Sequence, residues 1–145
     1  MAFATQADLE IALGGARVLV QLSDHDQDGV ADAAVVTDYL ESGASTVRAA
    51  VEVKHEPESI DALDADSRRH LRDLNKWWSA AVAWLEGSGG QAMPERVREM
   101  RDWAQLELDR IRTGERRLGR VAGGKAPALA QPASGTVDYD KDGAG

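Results

Sequence analysis

Apolar side chains recur along this chain at the spacing of a single helix face, and glycine and proline divide the recurrence into segments. Residues 5–13 open on Thr5, a good N-cap, with Asp8 three residues on, and stop at Gly14-Gly15, which predicts a short helix. The run 16–22, ARVLVQL, is too short for its period to choose between a strand and a helical turn. Over 33–53, Val36, Leu40, Val47 and Val51 form a stripe, with Tyr39 and Ala44 beside it and Asp32 placed as N-cap. Pro57 and the turn formers around it break that helix within 54–65. Over 66–86, Leu71, Leu74, Trp78, Ala81, Val82 and Leu85 share a face, and Gly87-Ser88-Gly89-Gly90 ends it. Pro94 stands in the first turn of a last helix, 94–118. Its buried side is Val97, Met100, Ala104, Leu108 and Ile111, and its wet side Arg98, Asp102, Gln105 and Asp109.

The expected fold is therefore all-α: a small helical domain with a long antiparallel helix hairpin, 66–86 against 94–118, joined by the Gly-rich link. After Gly119 the composition changes to Gly, Ala and Pro with few large apolar side chains. Such a segment has too little to bury to offset its ordering entropy, so 120–145 is expected to be a disordered or extended C-terminal arm on a domain spanning 1–119. At 145 residues there is room for one domain.

Charge and cysteine content narrow the functional classes. With no cysteine, disulfides, thiolate nucleophiles and Cys-ligated zinc are excluded. The start has neither the basic nor the apolar region of a secretory leader, and no apolar run approaches a membrane span, so synthesis in the cytoplasm is expected. The net charge of −8 is unevenly spread: residues 1–66 hold 14 acidic and 3 basic side chains, residues 67–120 hold 8 and 12. That polarity suits head-to-tail association, although ordinary solvated helix faces produce it too.

The sharpest motif is Asp24-His25-Asp26-Gln27-Asp28-Gly29-Val30-Ala31-Asp32. Acids at positions 1, 3, 5 and 9, with Gly at 6, match the first part of an EF-hand-type loop, in which alternating carboxylates converge on Ca²⁺ and Val30 lends its carbonyl. Position 12, ordinarily a bidentate Glu, is Val35. The expected metal set is Asp24, Asp26, Asp28, Val30 and Asp32, holding Ca²⁺ weakly; the competing reading is an Asx-turn loop that caps a helix. A second Asp-x-Asp-x-Asp-Gly at 138–143 has no downstream ligands and reads as an acidic tail. Gly119 to Ala126 imitates a phosphate loop, but Ala126 replaces the Mg²⁺-binding hydroxyl and a helix precedes it where a strand should. His25, His55 and His70 are scattered, with no HExxH or GxSxG, so no enzyme is expected.

Trp77, Trp84 and Trp103 flank the stripes of the last two helices, where they serve either the core or a subunit contact. Leu106 sits opposite the Val97–Ile111 stripe among charged neighbours, which points to a partner.

Four segments together resemble the head–tail connector proteins (adaptor or head-completion proteins) of tailed phages, the Mu-like group among them. They are Phe3-Ala4-Thr5-Gln6-Ala7-Asp8-Leu9, then Gln21-Leu22-Ser23-Asp24 running into the acidic loop, then the helix opening at Asp32-Ala33-Ala34-Val35, and the close Leu108-Asp109-Arg110-Ile111-Arg112-Thr113-Gly114. The resemblance covers about residues 3–118. It implies a non-catalytic subunit of the virion's head–tail junction, assembled as a ring of twelve copies on the portal protein. Such a ring extends the DNA channel without reading sequence and meets the next connector or tail protein. It also implies that such a terminal arm docks on the portal. Among the arm's few large apolar side chains, Val121, Leu129, Val137 and Tyr139, the expected anchors are Leu129 and Tyr139, with Trp77, Trp84, Trp103 and Leu106 as the expected contacts on the body. The reading from a different class is a monomeric calcium-responsive helical module switched by the 24–32 loop.

Overall fold

Five α-helices and one 3₁₀ turn follow each other in the computed structural model, which describes residues 2–119: α1 (Gln6–Leu13), α2 (Ala16–Ser23), α3 (Ala33–Val51), the turn Pro57–Ala62, α4 (Ala65–Gly87) and α5 (Glu95–Thr113). The expected arm over 120–145, with Leu129, Tyr139, the phosphate-loop mimic beyond Gly119 and the second acidic motif, lies outside the described residues.

Local chemistry accounts for most boundaries. Thr5 and Asp8 form a reciprocal capping box, and Gly14 closes α1 in the left-handed conformation that glycine adopts without strain. The undecided run 16–22 is helix α2, which buries Leu19, Leu22 and Ser23. Asp64 caps α4 by accepting the Ser67 amide at 2.8 Å. That bond, with the Ser67 hydroxyl after it, holds the Asp64 carboxyl below its ordinary range.

α4 is the hub. It packs against α1, α2, α3 and α5, most extensively against α3, and α3 also touches α5. Cross-links fix the directions. Asn75 on α4 bonds the Leu40 carbonyl of α3. Tyr39, early in α3, reaches Gly87 at the end of α4, while Val47 and Val51 cluster with Leu71 and Leu74 nearer its start, so α3 and α4 run antiparallel. Arg96 stacks over Trp77 and Trp103 meets His70 edge-on at 5.9 Å, so α4 and α5 form the expected antiparallel hairpin. A Cβ on Gly43 would run into the Ser79 hydroxyl and one on Gly87 into the Leu22 carbonyl; both glycines permit close backbone approach.

Two buried clusters result. One joins α1, α2, the first half of α3 and the second half of α4 through Leu9, Leu19, Val36, Tyr39 and Trp77. The other joins the rest of α3 and α4 to α5 through Val47, Val51, Leu71, Leu74, Leu108 and Ile111.

Three expectations change. The α4 stripe does not bury Leu85, which is 67% exposed, and Trp78 and Val82 are only half-buried. A hub helix is instead covered on several sides, so Asn75, Trp77, Ser79, Ala80 and Ala83 are inside. The last helix ends at Thr113 because Gly114 turns left-handed, five residues short of the expected 118. Residues 114–119 fold back: Arg116 and Arg110 pair with the buried Glu107 at 3.1 and 3.0 Å, and Leu118 enters the core. Gly119 donates to Ser67 Oγ and accepts from the Asp64 amide. Finally, Asp32 sits at the N-cap of α3 but makes no side-chain cap, because its carboxylate is turned toward the His25 amide.

Candidate metal centre

The loop between α2 and α3 is organised by its own aspartates. Asp24 accepts the Gly29 amide at 2.7 Å and the Asp28 amide at 3.0 Å, and Asp28 accepts the Val30 amide at 2.9 Å. Asp32 turns its carboxylate back to accept the His25 amide at 3.1 Å, which is why it does not cap α3. Gln27 and Gly29 take positive φ, at 60° and 83°, and these two reversals bend the loop around its carboxylates.

Asp24, Asp26, Asp28 and Asp32 thereby bring one carboxylate oxygen each within 4.8 Å of one another. Oxygens held at 2.3–2.6 Å from one Ca²⁺ lie at most about 4.6–5.2 Å apart, whereas the tighter Mg²⁺ shell limits them to about 4.2 Å. The donor set is all oxygen and fits a hard cation of calcium's size. Like charges this close disturb each other. Partial loss of water raises the Asp24 carboxyl, but the Gly29 amide, the hydrogen bond with Asp26 and the Asp28 amide outweigh that and hold it below its ordinary value. Asp26 is pushed up, first by the bond it shares with Asp24, then by desolvation and the charges of Asp28 and Asp32.

Of the expected metal set, four members converge. Val30 is an exposed loop residue whose amide is bound by Asp28. His25 contributes only its backbone to the cluster. Val35 packs against the first core cluster, so the twelfth position offers hydrocarbon and no oxygen.

The expected partner residues separate. Trp77 is 5% exposed and belongs to the core, and Trp103 is half-buried against both clusters. Leu106 is 52% exposed, as its position opposite the stripe implies. Trp84 packs its ring on the first cluster but leaves its Nε1–H buried without an acceptor among the described residues. It borders a cleft shared with Gln21, Leu22 and Gln91. Periodicity missed Asn75, a fully buried amide, because an Asn in a helix interior carries no apolar signal.

Among the described residues no helix is long and apolar enough to cross a membrane. Compared with protein-family models, with curated proteins and with solved structures, the chain matches none. What fold and site define is an all-helical domain carrying an exposed, convergent carboxylate loop.

Proposed function

We propose that this chain is a structural subunit of a phage head–tail junction, which assembles as a ring on the portal and joins head to tail. The observation that carries the reading is the placement of the four resembling segments. In chain order they fall on the capping box of α1, the acidic loop after α2, the opening of α3 and the Gly114 stop of α5. These are helix starts, stops and the loop between two helices, and their order along the chain is what the resemblance rests on. Exposed Leu106, Leu85 and Ile11 supply apolar surface for subunit contacts. The arm 120–145 docks on the portal in this reading, with weak single contacts multiplied by the number of copies in the ring.

The test is a truncation after Gly119, added beside the intact chain to portal-bearing, DNA-filled heads that lack this subunit. The intact chain is expected to bind as a ring. The truncated chain keeps its helicity by circular dichroism and fails to join. An intact chain that stays monomeric and ignores the heads overturns the connector reading, and capture of both forms alike overturns the role of the arm alone.

A second reading, a calcium-responsive module, is favoured by the convergent carboxylates of Asp24, Asp26, Asp28 and Asp32. Size measurement with calcium and with chelator separates the two. A sensor changes its hydrodynamic radius, while a connector subunit gains stability at unchanged shape.

A further inference from the structure

One face of α4 is covered along half its length and open along the other half. Ser67, Leu71, Leu74, Trp78, Val82 and Leu85 lie along a single side of the helix by its 3.6-residue period. The first three are buried, and the covering includes the returning chain: Leu118 joins the cluster of Leu71 and Leu74, and Gly119 bonds to Ser67. Beyond Leu74 the same face becomes a groove of about 330 Å³ between α4 and α5, floored by Trp78, Val82 and Leu85. Arg101, Asp102 and Gln105 of α5 form its polar rim, where Arg101 donates to Asp102 and Gln105 to Asp109.

The chain outside the described residues begins where this groove can be reached. Ser67, which holds Gly119, and Val82, at the middle of the groove, are about 22 Å apart along the helix at 1.5 Å per residue. From Gly119 to Leu129 an extended polyproline-type chain spans about 31 Å. The surplus allows the reversal that the path needs, and Gly123-Gly124 are the residues suited to make it. The stretch that then arrives is Ala126-Pro127-Ala128-Leu129-Ala130-Gln131-Pro132. It carries no charge, it has one large apolar side chain, and its two prolines favour the extended form that aromatic-floored grooves recognise. Such a backbone has free carbonyls, and Arg101 and Gln105 each carry N–H groups beyond the one given to Asp102 or Asp109.

We propose that residues 126–132 of this chain dock in the α4–α5 groove of the same molecule, with Leu129 between Trp78 and Leu85. The returning segment 114–119 and this stretch then form one strap along α4. In the free subunit the strap shields the open apolar face and sequesters Leu129. A partner that takes up the arm must first displace it. The inference concerns the isolated chain and stands apart from the phage reading.

The absence of native cysteine makes a clean test. In the full chain, Gln105→Cys is paired with Ala130→Cys, and a control pairs Ser45→Cys, on the exposed side of α3, with Ala130→Cys. Each is oxidised with oxidised glutathione at low protein concentration. The 105–130 pair is expected to close within one chain at least about ten-fold faster than the control, as a docked arm raises the effective concentration of its thiol. Adding Leu129→Asp is expected to return the rate to that of the control, at unchanged circular dichroism. Equal rates for the two pairs overturn the proposal. So does a product that is mainly covalent dimer and grows with protein concentration, which assigns the groove to a second copy.

Discussion

Asn75 uses all its hydrogen-bonding capacity inside the protein. Its Oδ1 accepts the Phe3 and Ala4 amides at 2.8 and 3.0 Å, and its Nδ2 donates to the Leu40 carbonyl and to Ser79 Oγ at 3.1 and 2.9 Å. One side chain thus ties the N-terminal segment, α3 and α4 together. Asn75→Ala orphans buried backbone groups at about 1–3 kcal/mol each, so a loss of at least about 2 kcal/mol is expected in urea unfolding. An unchanged midpoint would contradict this role. His70 gives a pH signature. Burial, then the positive charge of Arg116, lowers its pKa, against the opposing pull of Glu107 and Asp73. A histidine depressed in the folded state adds stability above its unfolded pKa, near 6.5, and that stability is lost as pH falls through the folded value. Unfolding free energy is therefore expected to drop between pH 7.5 and 5.5, and the drop should be smaller in His70→Gln. Equal slopes in the two proteins would remove His70 from the explanation.

At the scale of elements, punctuation was readable and coverage was not. Thr5, Asp8, Gly14 and Pro57 announce where helices start and stop, since caps and breakers act locally. The α3 stripe was correct because that helix shows a single broad face to the core. The hub helix defeated the same reasoning: with neighbours on several sides it buries Asn75, Ser79 and His70, which a hydrophobic period assigns to water. The end of α5 was overrun although Gly114 is a local stop signal like Gly14, because Glu115-Arg116-Arg117 beyond it reads as another helical turn. Their fold-back depends on Glu107 and Ser67, distant in sequence. The acidic loop was legible because its ligand spacing is local, and only the diversion of Asp32 from its cap needed the structure. Millimolar Ca²⁺ is expected to raise the melting temperature, with a dissociation constant of about 10⁻⁴–10⁻³ M given Val35 at the twelfth position. Binding to the folded form alone adds about 2.7 kcal/mol at a hundred times that constant. Asp26→Ala should abolish the rise, and because Asp26 must shed its proton to bind, affinity should be weaker near pH 5 than at pH 7. A melting temperature indifferent to calcium in both proteins would leave the loop as a purely structural turn.

On the scale of the whole molecule, the division of the interior into two clusters bears on the order in which a growing polypeptide can acquire its shape. Every buried member of the first cluster except Val97 precedes residue 84, so that half of the interior is nearly complete once α4 has been made. The second cluster waits for Ala104, Leu108, Ile111 and Leu118, contributed by the last helix and the segment that folds back from it. Protein synthesis delivers residues at about 5–20 per second, slow beside the closure of a helical core. During translation one half of α4 can therefore be sheathed while Leu71 and Leu74, covered by Val47 and Val51 on the α3 side, still lack the cover of α5. The intermediate on the ribosome is a half-built body with one greasy flank, and the rate at which α5 arrives sets how long that flank stays open to chaperones or to a neighbouring nascent chain.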